Sequence, residues 1–159
     1  MKAAWPIHTL GALLCAATLA HAAPALEDLD AFPRATVEIT AGQATHRFDV
    51  WVADTPRRSA QGLMYVRDLD PGRGMLFVES APREMSMWMK NTYIPLDMLF
   101  IAEDGRILRI AARTTPHSLE SIAAPAPVTM VLELRGGEAA KRGIGVGDRV
   151  RVIHAPPQL

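Results

Sequence analysis

The sequence predicts an all-β or β-rich α+β domain, folded as a compact β-sandwich or partly closed barrel of about eight short strands with one or two short helices. Two observations lead to this fold class. Short stretches of alternating polar and apolar residues recur along the chain, and turns rich in glycine, proline and aspartate separate them. The 159 residues, 49% hydrophobic and 21% charged, also have the size and composition of one globular domain.

The N-terminal segment has the pattern of a secretory signal peptide. Lys2 precedes an apolar run from Leu10 to Ala20, and Ala20-His21-Ala22 fits a cleavage site. The run is too short for a membrane-spanning helix, which needs about 20 apolar residues. We therefore expect residues 1–22 to be removed and the protein to be exported to the periplasm or secreted, with no stable membrane insertion afterwards.

The segment after the expected signal peptide differs in composition from the rest of the chain. Residues 23–33 carry prolines and acidic side chains without an apolar period, which predicts a flexible leader before a single β-rich domain over residues 34–159. The one cysteine, Cys15, lies within the expected signal peptide. The mature chain is therefore expected to lack disulfides, zinc-thiolate sites and a cysteine nucleophile.

The domain begins with a pattern typical of a β-hairpin. Residues 36–39 and 46–52 alternate polar with apolar side chains on either side of Gly42. The apolar members of the two strands are expected to line the core: Val37, Ile39, Phe48, Val50 and Val52. Thr55 and Pro56 then supply a capping side chain and a proline at the first helical position, which predicts a short helix over residues 57–64.

The remainder of the domain is predicted to be mostly strands. They are expected over residues 74–78, 84–89, 96–102, 106–110, 128–134 and 149–153. Asp104-Gly105 suits a tight turn between two of them, because such turns need a positive φ angle. A single helical turn over residues 138–142, ended by Gly143, precedes the last strand.

Several motifs follow one another in order along the predicted domain. They are Arg58–Met64, Gly74–Phe77, Met87–Thr92, Ile94–Phe100, Val131–Leu134, Gly143-Ile144 and Gly147-Asp148. Through these motifs the chain resembles the DUF192 family, a domain family of unknown function, over roughly residues 36–153. The resemblance implies a compact β-rich domain that is often exported and has no established activity.

A group of polar and aromatic side chains is expected at one rim of the barrel, where it would form a site for a small ligand. The ligand-binding candidates are Trp88, Lys90, Asn91, Thr92, Asp97 and Arg58. They combine an aromatic surface with hydrogen-bond donors and charges of both signs. The alternative is a structural network in which Lys90 or Arg58 neutralises Asp97.

Three methionines alternate along the strand predicted over residues 84–89. Met85, Met87 and Met89 share one face of such a strand, and thioethers are soft ligands that hold Cu(I). The alternative is core packing, because methionine fills irregular gaps between apolar side chains. No other metal and no cofactor are predicted, since the histidines of the mature chain, His46, His117 and His154, lack the spacing of a metal site.

Two classes of function remain open, ligand or partner binding and catalysis, whereas the charge of the chain excludes nucleic-acid binding. With 17 basic and 17 acidic side chains the chain has no basic footprint, so no nucleic-acid partner is expected. One open function is the binding of a small polar ligand or a protein partner at the rim. The other is an enzyme on the same rim, hydrolase-like, with Ser118 or Ser121 beside His117 but without a Gly-x-Ser-x-Gly elbow.

Overall fold

The computed structural model describes residues 25–154, so the expected signal peptide, residues 1–22, lies outside the described residues. Within the described part the elements are β1 (Arg34–Ala41), β2 (Ala44–Ala53), α1 (Pro56–Gln61), β3 (Arg73–Arg83), β4 (Ser86–Met87), β5 (Leu96–Ile101), β6 (Ile107–Ala111), β7 (Ile122–Ala123), β8 (Val128–Arg135), α2 (Glu138–Lys141) and β9 (Arg149–His154). A 3₁₀ turn, Leu29–Ala31, precedes β1. None of the helices between residues 25 and 154 combines the length and the apolar character needed to cross a membrane.

Seven of the strands form one curled sheet in the order β6-β5-β8-β3-β2-β1-β9. Neighbours are antiparallel except β2 and β3, which run parallel because α1 lies in the connection between them. The edge strands meet at one end of the sheet, where Arg106 bridges Arg149 and the Ile107 amide donates to the Asp148 carbonyl at 2.9 Å. The predicted β-rich fold with a partly closed barrel is therefore confirmed.

One face of the sheet carries the first of two apolar clusters. Leu76, Leu132 and Leu99 lie side by side across β3, β8 and β5 and belong to this cluster. The hairpin residues predicted for the core join it: Val37, Ile39, Phe48 and Val50 are almost completely buried, and Val52 packs against them partly buried. Period-two alternation in the sequence therefore correctly identified the residues that the hairpin contributes to this cluster.

The opposite face carries the second apolar cluster and positions the candidate site. Met75, Glu133 and Met98 lie side by side across β3, β8 and β5, and both methionines are fully buried. Since successive side chains of a strand point to opposite faces, the three central strands are covered on both sides. The Glu133 side chain therefore does not face solvent on either side of the sheet.

Two predicted elements are shorter in the structure by at least two residues. The helix predicted to reach Met64 ends at Gln61, because Gly62 takes a positive φ angle of 50° and turns the chain. The strand predicted over residues 84–89 is reduced to β4, Ser86–Met87, because the strand it pairs with, β7, is itself two residues long. Beyond β4 the Thr92 amide donates to the Met89 carbonyl at 3.1 Å, which closes a turn.

The described part of the predicted leader contacts α1. The Arg58 guanidinium pairs with the Glu27 carboxylate at 2.6 Å, and the Gln61 side chain both accepts from the Glu27 amide and donates to its carbonyl, each at 2.7 Å. Phe32 is 3% exposed and joins the second apolar cluster. Residues 27–32 therefore lie against the domain and cover one side of α1.

Replacing Gly74 by alanine is expected to lower the free energy of unfolding by about 2 kcal/mol, because β3 and β8 approach closely there. A Cβ atom at Gly74 would lie 2.5 Å from the Glu133 carbonyl oxygen and 2.9 Å from Leu134 Cδ2. Urea unfolding measures the change. Gly72→Ala is the matched control, since no atom lies within 4 Å of a Cβ there, and equal midpoints for the two variants would contradict the close approach.

Candidate functional site

A cavity of about 130 Å³ lies between α1 and β4 and is called here the α1–β4 cavity. One part of its lining is Ser59–Met64, from α1 and the turn after it, and another is Met85–Trp88, around β4. Phe77 of β3 and Glu133 of β8 complete its buried base, with exposed fractions of 3% and 4%. The cavity is therefore bounded by short loops on a base of central strands.

Glu133 is the buried acidic group of this cavity. Met75 and Met98 flank it in the neighbouring strands, so its surroundings are apolar. Burial raises the pKa of the Glu133 carboxyl to about 8, and no charge or hydrogen bond from residues 25–154 offsets the effect. The carboxyl is therefore largely protonated at neutral pH. Its hydroxyl can donate a hydrogen bond to a bound molecule, and its oxygens can accept hydrogen bonds from one.

The sequence of β8 explains why the acid lies there. Val128–Arg135 reads Val-Thr-Met-Val-Leu-Glu-Leu-Arg, and Glu133 shares a face with Val131 while Leu132 and Leu134 point to the first cluster. The sequence places Glu133 on a predicted strand, and no function is expected of it there. The available signal was a single acid between leucines in a strand central enough to be buried on both faces.

The charged groups that line the cavity besides Glu133 already have partners. Arg83 forms an ion pair with Glu79, and this hydrogen bond holds the pKa of the Glu79 carboxyl below its usual range. The Lys90 ammonium lies 5.0 Å from the centre of the Trp88 ring, a cation–π arrangement. The cavity therefore has charges of both signs at its exposed side and an unpartnered carboxyl at its base.

Comparison with known protein families gives a match over most of the domain. Residues 37–152 match the family DUF192, described as Uncharacterized ACR. The chain belongs to the DUF192 family. The resemblance found in the sequence motifs is thus confirmed, over nearly the same residues. No curated protein is similar enough to match the chain.

Two solved structures are similar to this DUF192 chain. A candidate transcription regulator from Sinorhizobium meliloti 1021 is 43% identical, with a TM-score of 0.74, and the match covers 76% of this chain and 95% of that one. A protein of unknown function from Novosphingobium aromaticivorans DSM 12444 is 37% identical, with a TM-score of 0.76, over 82% and 94% of the two chains. Each match covers almost the whole of the other chain.

The structure distributes the predicted rim residues over three places. Trp88, Lys90 and Thr92 line the α1–β4 cavity. Asn91 lies beside it, with its side-chain amide 3.8 Å from the Met64 sulfur. Arg58 is on α1 but is paired with Glu27 and Asp54.

Asp97 lies apart from the cavity and has a different role from the one expected. It is completely buried, and its carboxylate accepts hydrogen bonds from the amides of Arg113 at 2.8 Å and of Gly137 and Ala139 at 2.9 Å. The expected pairing of Asp97 with Lys90 or Arg58 does not occur among the described residues. Asp97 instead joins β5 to the loop after β6 and to the start of α2.

The three predicted methionines also separate. Met85 and Met87 line the cavity, whereas Met89 is fully buried and its sulfur accepts a hydrogen bond from the Thr114 hydroxyl at 3.0 Å. Met64, from the turn after α1, lines the cavity in its place. Within residues 25–154 no three His, Cys, Asp or Glu side chains are grouped closely enough to hold a metal ion.

Proposed function

We propose that this DUF192 domain is an exported binding protein that takes up a small molecule in the α1–β4 cavity, with the Glu133 carboxyl as its anchor. The observation that carries the proposal is a buried carboxyl at the base of a cavity without a partner among the described residues. Burying such a group costs free energy, and folding alone gains nothing from it. Polar groups of this kind are retained where a ligand uses them.

The size of the cavity supports a small ligand. A buried apolar cavity of about 150 Å³ accommodates benzene, so a cavity of about 130 Å³ suits a molecule of similar bulk. Trp88 is 48% exposed beside it and offers a ring face to an arriving molecule.

Export rests on the N-terminal pattern of a signal peptide. DNA binding has no support in the charge of the chain, since basic and acidic side chains balance at 17 each.

An enzyme in the same cavity is the second candidate function, favoured by one observation. A carboxyl with a pKa of about 8 is protonated at neutral pH and can donate a proton to a substrate, as a general acid does. The triad considered from the sequence receives no such support, because the His117 ring packs against Tyr93 in a tilted arrangement and the Ser118 hydroxyl accepts from the Glu120 amide. Catalysis would therefore depend on Glu133.

A small-molecule screen with the purified protein tests the binding function through Glu133→Gln. Ligands at ten times their dissociation constant are expected to raise the melting temperature of the wild type by about 4–6 °C, because they bind only the folded state. The Glu133→Gln variant should lose most of that shift, since the amide cannot ionise or replace the carboxyl as a partner.

Glu120→Gln is the matched control, because Glu120 is exposed and does not line the cavity. Its melting shifts should equal those of the wild type. Ligands that stabilise all three proteins equally would contradict the role of Glu133. A compound that the wild type converts, and that Glu133→Gln binds without conversion, would favour the enzyme instead.

A further inference from the structure

None of the cations that line the cavity pairs with the Glu133 carboxyl. The titratable side chains lining it besides Glu133 are Glu79 and Arg83 of β3 and Lys90 after β4, and the α1 segment contributes none. Arg83 is held by Glu79, and Lys90 lies over Trp88. The strand neighbours of Glu133, Met75 and Met98, carry no charge. No cation of the described chain therefore compensates the buried carboxyl.

The remaining lining of the cavity is rich in groups that attract cations. Met64, Met85 and Met87 contribute thioether sulfurs, which accept hydrogen bonds weakly. Phe77 and Trp88 contribute aromatic rings, whose faces are electronegative. An ammonium group in such surroundings meets lone pairs and ring faces along the sides and a carboxyl at the base.

We propose that the cavity binds a small organic ammonium ion, whose charged head pairs with the Glu133 carboxylate and whose apolar body packs against Met64, Met85 and Met87. This inference rests on the proposed binding function and names the chemical class of the ligand. A body of about six heavy atoms matches the cavity, by comparison with benzene in a slightly larger one. The free ammonium and the protonated carboxyl combine to give an ion pair, and one proton goes to the solvent.

Other ligand classes fit this lining less well. A carboxylate or phosphate would compete with Glu79 for Arg83, and at the base of the cavity it would approach a second acidic group, Glu133. Cu(I) prefers thioether donors, but the one ionisable group at the base is a carboxyl, whose oxygens are hard donors that suit an ammonium better. The structure thus favours a hydrogen-bonding organic cation over an anion and over a soft metal.

Isothermal titration calorimetry tests the inference with three probes that share one ring: benzylammonium, benzyl alcohol and benzoate. The protein should bind benzylammonium and release close to one proton per site at pH 7, measured in buffers of different ionisation enthalpy. The affinity should rise about tenfold per pH unit up to about pH 8, where free Glu133 becomes ionised. Benzyl alcohol and benzoate should bind at least tenfold more weakly.

Variants and labelled methionine methyl groups distinguish two outcomes: that the ligand is not a cation, and that the cavity does not bind a ligand through Glu133. Glu133→Gln should lower the affinity for benzylammonium at least tenfold, Glu120→Gln should leave it unchanged, and NMR signals of the Met64, Met85 and Met87 methyl groups should shift on binding. Stronger binding of benzyl alcohol or benzoate that still depends on Glu133 would overturn the cationic ligand and leave the binding function standing. The inference would also be overturned if benzylammonium did not bind, or if its binding were unaffected by Glu133→Gln. Displacement of the probe from the methionines by silver ions would indicate a soft-metal site instead.

Discussion

Replacing Asp97 by alanine is expected to lower the free energy of unfolding by about 4 kcal/mol, one of the two largest effects we expect in this domain. The carboxylate accepts hydrogen bonds from the amides of Arg113, Gly137 and Ala139, and it is completely buried. Its removal leaves three donors without partners, and each unsatisfied buried donor costs about 1–3 kcal/mol, partly relieved by local rearrangement. Urea unfolding followed by circular dichroism gives the value.

The control for this experiment is Asp104→Ala. Asp104 also accepts a backbone amide, that of Arg106 at 3.0 Å, but its side chain is 52% exposed, so water can replace it. The expected loss there is below about 1 kcal/mol. A double mutant of Asp97 and Lys90 should show additive effects, because the two side chains do not pair. A loss below 1 kcal/mol for Asp97→Ala, or strong coupling to Lys90, would contradict the assignment.

The role of Asp97 shows where sequence reasoning reaches its limit. The strand that contains Asp97 was predicted nearly to the residue, because apolar runs and turn residues are local signals. Two of the three partners of Asp97 are the amides of Gly137 and Ala139, 40 and 42 residues away along the chain. Any residue except proline offers an amide, so no side-chain pattern marks these partners. A charged partner, Lys90 or Arg58, was the only kind that the sequence could suggest.

The candidate site was predicted in part for the same reason. Trp88, Lys90 and Thr92 line the cavity, and a motif that interrupts a strand with polar residues already indicated a surface feature there. Glu133 was missed because its burial depends on strand order: β8 lies between β3 and β5, and α1 and β4 cover that face. In an edge strand the same Leu-Glu-Leu pattern would place the acid in water. Only the tertiary arrangement distinguishes the two cases.

The second large effect concerns the pH dependence of stability. The pKa of Glu133 is about 8 in the folded protein, compared with an ordinary value of 4.5. Below pH 4.5 both states are protonated, so the group does not affect stability. Between pH 4.5 and 8 the folded state keeps a proton that the unfolded state releases, so rising pH destabilises the fold by about 1.4 kcal/mol per unit. Above pH 8 both states are ionised and the full loss is present.

Glu133→Gln removes this titration. The free energy of unfolding of the variant minus that of the wild type is therefore expected to be about 3 kcal/mol larger at pH 8 than at pH 5. The comparison of the two pH values cancels the cost of fitting an amide into the cavity, because that cost does not depend on pH. Urea unfolding of the wild type, Glu133→Gln and the exposed control Glu120→Gln at both pH values measures the difference. Glu120→Gln should follow the wild type, since its carboxyl is solvated in both states. Parallel curves for the wild type and Glu133→Gln would mean that water or an unseen partner stabilises the carboxylate, and the unpartnered acid on which the binding proposal rests would then be refuted.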